Sequence, residues 1–204
     1  MKEMAEEKIK AKIILREQTP KVPFIKSPET WGKENIELQK AVVDYLNSES
    51  TALGVAANQL ELDGKRCMER FFVKKEKNPI RWTFFINPKL IESKGDIKTK
   101  REGCLTWPKE EVIADRHYKI KVSYYTIEGE YKEEWIVGRT AQIWQHELCH
   151  LDGIEEKLAS KTKNEKQVEV AKPIMISGSA RNLPCPCGSG IKAKKCKCRK
   201  YKLC

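Results

Sequence analysis

The five residues His146-Glu147-Leu148-Cys149-His150 constrain this chain more than any other stretch. On an α-helix, positions i and i+4 lie one turn apart on the same face. Two imidazoles at that spacing can reach one ion, and the glutamate between them can take a proton from a water beside it. The chemistry therefore demands a helix. The pattern predicts one over about 140–151, stopping at Gly153, a common residue type just past a helix end. A chance match on a solvent-facing helix would leave Trp144, Leu148 and Leu151 without a reason for their placement. The chain holds three histidines, and two of them are in this motif.

Two histidines do not complete a site, because a catalytic ion usually takes three protein ligands and a water. The downstream carboxylates Asp152, Glu155 and Glu156 lie very close to the helix end. Upstream, Glu102-Gly103-Cys104-Leu105-Thr106-Trp107-Pro108 offers a lone cysteine beside a glycine, and its thiolate is a candidate third ligand.

The rest of the chain reads as an α+β domain of antiparallel strands around this helix. Leu38, Val42, Tyr45 and Leu46 share one face of a helix over about 35–47, with Asn35 as its N-cap. The small-residue run Ala52 to Gln59 lets backbone approach something closely. Strands are predicted over 71–74, 82–86 and 89–93, and a hairpin over 119–127 and 131–137 closes around Glu128-Gly129. The N-terminal dozen residues are charged and hold no apolar run, and no stretch is long and apolar enough to span a bilayer. The expectation is a cytoplasmic protein without membrane contact. Of the eight cysteines, five lie between Cys185 and Cys204. Without an export signal, metal binding is a better reading of that cluster than disulfides.

Three segments together resemble the peptide deformylase family. They are Ala52-Leu53-Gly54-Val55-Ala56-Ala57-Asn58-Gln59, Glu102-Gly103-Cys104-Leu105-Thr106, and Gln145-His146-Glu147-Leu148-Cys149-His150-Leu151-Asp152-Gly153. Their order and spacing match the family, as does Ile86-Asn87-Pro88. The resemblance covers 13–158. It departs at Ala52, where the family has Gly, at Thr106 for Ser, and at Cys149, where the family has an Asp that would support the metal site.

The resemblance implies a hydrolase that removes the formyl group from N-formylmethionyl nascent peptides. Cys104, His146 and His150 would hold the ion, making a water acidic enough to supply hydroxide near neutral pH. Glu147 would accept the water's proton and pass it to the leaving amine. The Gln59 amide and the Leu105 backbone N–H would donate to the developing oxyanion. Ile143, three residues before His146, is placed to line the methionine slot, and the Gly54-Val55 backbone would wall out larger acyl groups. Glu102 is expected to pair with Arg116 and hold the Cys104 loop. One thiolate and two imidazoles suit Fe2+, Zn2+, Co2+ or Ni2+, and the resemblance favours Fe2+ with the others as substitutes.

Residues 159–179 read as a linker. Beyond it, the run from Ala180 to Cys198 resembles the SEC-C motif, with Cys185, Cys187, Cys196 and Cys198 as ligands of a structural Zn2+. Lys197 stands at the motif's usual fourth-ligand position, so Cys198 follows one residue late, and Cys204 is a weaker candidate. From Arg181 to Cys204 there are eight Lys or Arg and no acid, out of a net charge of +11. Such a tail either docks on a polyanion or only solubilises the chain, and on a deformylase it would dock on the ribosome. Two other functions stay open at this stage: a general HExxH peptidase, and a non-catalytic adaptor that retains the fold.

Overall fold

A computed structural model describes residues 9–77, 80–154 and 157–160, together with the backbone at 174–176 and 201–203. The chain divides into two compact units, Met1–Lys161 and Thr162–Cys204. In the first, the order is β1 (Ala11–Ile13), α1 (Pro28–Glu34), α2 (Ile36–Ser48), β2 (Gly54–Ala56), a 3-10 turn (Ala57–Gln59), β3 (Leu60–Leu62) and β4 (Lys65–Arg66). Then follow β5 (Phe71–Lys77), β6 (Ile80–Gly103), β7 (Glu110–Tyr125), β8 (Tyr131–Val137), α3 (Gly138–Leu151) and β9 (Lys157–Ser160). In the second unit β10 (Ile174–Ile176) pairs in parallel with β11 (Tyr201–Leu203). The four cysteines expected to hold zinc lie outside the described residues.

The larger sheet runs β2-β5-β6-β7-β8, with β9 on a further stretch of β7, and all its pairings are antiparallel. A smaller sheet orders β1-β3-β4. Strand alternation sends neighbouring residues to opposite faces, and here both faces are apolar. Val55, Phe71, Val73, Phe84 and Ile86 join a core with Val42 and Leu46 of α2. Ala56, Phe72, Phe85, Ile120 and Val122 join another with Trp144, Leu148 and Leu151 of α3. The sheet is thus filled on one side by α2 and on the other by the motif helix. Trp144, 1% exposed, sits edge-on to Phe72 and Phe85, both at 4.7 Å between ring centroids. Truncating a side chain buried this way costs about 3–5 kcal/mol, so the motif helix is firmly seated.

Local structure departs from expectation in two places. Asn35 does precede α2, but its Nδ2 donates to Trp31 O at 2.9 Å and makes no side-chain cap on α2. The strands expected over 82–86 and 89–93 are one strand, β6, with a register shift between Ile86 and Lys89. Asn87 makes this continuous. It takes a left-handed φ of 49°, which asparagine tolerates, and its side chain exchanges two 2.8 Å hydrogen bonds with the backbone of Ile25. At the far end of α3, Gly153 has φ 63°, and its N–H and that of Ile154 donate to His150 O and Cys149 O. These bonds close the helix as the sequence predicts. Among the described residues no helix is long and apolar enough to cross a membrane.

Candidate metal centre

Three elements converge beneath a cleft of about 1050 Å³. The helix α3 brings His146, Glu147 and His150. The loop after β6 brings Cys104, Leu105 and Thr106, and the 3-10 turn brings Gln59. Cys104 Sγ lies 3.3 Å from His150 Nε2, which lies 3.3 Å from His146 Nε2. Ligand atoms of these three buried residues all fall within 4.8 Å of one another.

The surrounding hydrogen bonds decide which ring nitrogens face inward. His146 Nδ1 is 3.0 Å from Glu102 Oε2, and His150 Nδ1 is 3.4 Å from Thr19 Oγ1. Each ring thus has its Nδ1 beside an oxygen and its Nε2 aimed at the thiol. Supports of this kind fix tautomer and ring orientation in metal-binding histidines. Burial, with His146 and Arg116 nearby, holds His150 well below the usual imidazole range, so the ring is neutral, the form that ligates metal. One soft thiolate donor and two imidazoles closing on a single point fit a divalent transition ion.

Glu102 does more than the sequence predicts. The expected pair with Arg116 is present at 2.7 Å, with both side chains buried, and the same Oε2 also accepts from His146. Burial alone would raise the Glu102 carboxyl. The hydrogen bonds from His146 and Arg116 and the guanidinium charge outweigh it, holding the group at about 2. Arg116 Nη1 also lies 3.2 Å from Cys149 Sγ. The thiol that stands where the resemblance has a carboxylate therefore still meets the arginine.

Glu147 is 3% exposed and lies against Gly54. Gln59 is anchored at both ends of its amide. Its Oε1 accepts from Ala56 N at 2.8 Å, and its Nε2 donates to Thr106 Oγ1 at 3.0 Å and lies 3.5 Å from Cys104 Sγ. The Thr at position 106 thus holds Gln59 beside the candidate ligands. Gln145 clasps β7, exchanging 2.9 Å hydrogen bonds with the backbone N–H and C=O of His117.

Gly54, Leu105 and Ile143 line the cleft. Val55, expected there through its backbone, is not among the lining residues. Its side chain is fully buried in the core on the α2 side of β2, because successive strand residues face opposite ways. Two residues without a local sequence signal complete the support of His150. Thr19 Oγ1 and Asn58 Nδ2 both donate to its backbone oxygen, at 2.9 and 2.6 Å.

Residues 7–164 match the family described as polypeptide deformylase, and 181–198 match the SEC-C motif. A peptide deformylase of Thermotoga neapolitana is 34% identical over 131 residues, covering 63% of this chain and 74% of the relative. One of Aquifex aeolicus is 35% identical over 141 residues, covering 69% and 78%. Among solved structures, peptide deformylase from Thermotoga maritima superposes with a TM-score of 0.57 at 28% identity, covering 71% of this chain and 92% of that one. A probable peptide deformylase from a Synechococcus phage gives 0.55 at 28% identity, covering 70% and 95%.

Proposed function

The chain belongs to the polypeptide deformylase family, and from that premise we propose that Cys104, His146 and His150 hold the ion with which it removes the N-formyl group from nascent peptides. The reaction class is metal-dependent amide hydrolysis. The observation that carries the residue assignment is the convergence of one thiol and two Nε2 atoms within 4.8 Å, in the same cleft as Glu147 and Gln59. A bound ion supplies polarisation, making a water acidic near neutral pH and drawing charge onto the formyl oxygen.

The chain's own groups do the rest. Glu147, buried beside Gly54, accepts the proton of the attacking water and delivers it to the amine nitrogen as the C–N bond breaks. Gln59 Nε2, fixed by Thr106, and the Leu105 backbone N–H donate to the formyl oxygen as it gains negative charge. Gly54 and Ile143 form the wall against which the methionine side chain rests. Of the metals compatible with this donor set, Fe2+ is our assignment, with Zn2+, Ni2+ or Co2+ as substitutes. In the SEC-C segment, Cys185, Cys187, Cys196 and Cys198 hold a structural Zn2+, and its basic residues dock the enzyme on the ribosome in the cytoplasm.

The test is formate release from formyl-Met-Ala-Ser under anaerobic conditions with Fe2+, beside Glu147→Ala. Release by the natural chain and its loss in the variant support the assignment. No release with metal bound at Cys104 would bring forward a non-catalytic adaptor.

A further inference from the structure

The cleft carries more positive charge than hydrolysis of a formamide uses. Its lining includes Lys12, Lys100, Arg101 and Arg139. Lys12 is paired with Glu61 and Arg101 with Glu111, each at 2.7 Å. Among the described residues, Lys100 and Arg139 have no ion-pair partner. The cleft's carboxylates are Glu102 and Glu147, which are buried, and Glu49, which shares a hydrogen bond with Tyr45. Two cations without an ion pair among the described residues are therefore left along the cleft.

Their distance from the candidate metal centre is set by regular geometry. Arg139, Ile143, His146 and His150 stand at i, i+4, i+7 and i+11 on α3, which makes one stripe along the helix. Arg139 precedes His146 by seven residues, or about 10 Å along the axis at roughly 1.5 Å per residue. An extended peptide advances about 3.3 Å per residue. With its formyl group at the centre and its first side chain beside Ile143, its second and third residues reach the level of Arg139. From the sheet, Lys100 lies two residues before Glu102 in a stretch of β6 whose pairing to β7 is unbroken. It therefore shares a face with Glu102, the residue 3.0 Å from His146. The two cations line the same cleft, one from the strand and one from the helix.

We propose that Lys100 and Arg139 are specificity-determining residues that favour an acidic side chain at the second or third position of the formylated peptide. This rests on the deformylase reading above. Arg139 is exposed and Lys100 half-buried, so each pairing is modest and screened by salt. The effect belongs in KM, since neither cation touches the reacting atoms.

The experiment compares three peptides on the Fe2+-loaded full chain: formyl-Met-Ala-Ala-Ser, formyl-Met-Asp-Asp-Ser and formyl-Met-Lys-Lys-Ser. At low salt the acidic peptide should have a KM about 3–10-fold below the neutral one, with similar kcat, and the gap should close near 0.5 M salt. The double variant K100E/R139E should reverse the order, favouring the lysine peptide, and Arg139→Gln alone should shrink the preference. Equal KM values for all three peptides would overturn the inference while leaving the deformylase reading intact, as would an acidic preference that survives K100E/R139E. No formate from any peptide would overturn that reading and this inference with it.

Discussion

Gly54 lies against the Glu147 carboxylate so closely that a Cβ at position 54 would stand 2.6 Å from Glu147 Oε1. The same Cβ would be 3.2 Å from Ile143 Cγ2. The small residue in β2 therefore sets where the Glu147 carboxylate of α3 can rest.

Gly54→Ala follows directly from this contact. The atom in the way is the far end of a flexible side chain, so it can move at small cost in stability. What moves is the group proposed to take the water's proton. A displacement of about 1 Å at such a point can cost about 10²-fold in rate. Steady-state kinetics on formyl-Met-Ala-Ser should show that loss in kcat, while Tm shifts little. A variant with natural kcat would show that Glu147 works from a different position.

Glu102 links stability to pH with a definite sign. Its carboxyl is held at about 2 in the folded chain, below the ordinary value of 4.5. A depressed carboxyl contributes stability that is fully present above the unfolded value and is lost as pH falls through the folded one. Removing the charge from the buried pair with Arg116 should cost on the order of 3 kcal/mol at pH 7. Urea unfolding of the chelator-treated protein should show that difference between the natural chain and Glu102→Gln. The difference should narrow as pH is lowered from 4.5 towards 2. A gap independent of pH would mean that packing, and not charge, is what Glu102 supplies.

The parts of this site that were legible in the sequence are those carried by local spacing. Two histidines four apart, a glutamate between them and a helix stop at Gly153 follow from helix geometry. Cys104 was readable as a candidate third ligand because the nearby carboxylates lie so close to the helix end. The Glu102–Arg116 pair was also expected, but the bond from Glu102 to His146, 44 residues on, was not. Thr19 and Asn58 reach His150 across 131 and 92 residues and leave no periodic trace. Only the backbone of Val55 was expected at the cleft, and strand alternation turns its side chain to the core on the α2 side. Asn87-Pro88 separates two strand candidates in sequence, yet a left-handed asparagine lets β6 pass through it as a bulge.

Metal content should separate the two cysteine sets. Cys104→Ser should lose one equivalent of bound metal and all formate release, and should keep the metal of the SEC-C segment. Cys185→Ser/Cys187→Ser should do the reverse, losing zinc and retaining hydrolysis of a free peptide. Elemental analysis of the purified chains, read beside formate release, checks both halves. Loss of hydrolysis in the SEC-C variant at full occupancy of the Cys104 site would show that the two metals act together.

Thr19 provides the most specific test of the His150 assignment. Its hydroxyl donates to His150 O at 2.9 Å and lies 3.4 Å from Nδ1 of the same residue. A hydroxyl has one proton and two lone pairs. With the proton given to the carbonyl, a lone pair is left for an Nδ1–H, and Nε2 is then free to ligate. Thr19→Val keeps the shape and removes both interactions, while Asn58 still holds the backbone oxygen at 2.6 Å. The loss should therefore fall on ring orientation. Supports of this kind are worth about 10–100-fold in metal affinity. Competition with a chromophoric chelator should show a decrease of that size, and the visible spectrum of the Co2+-substituted protein should shift. Thr19→Ser should restore both. Unchanged affinity and spectrum in Thr19→Val would mean that the helix and Asn58 suffice to aim His150.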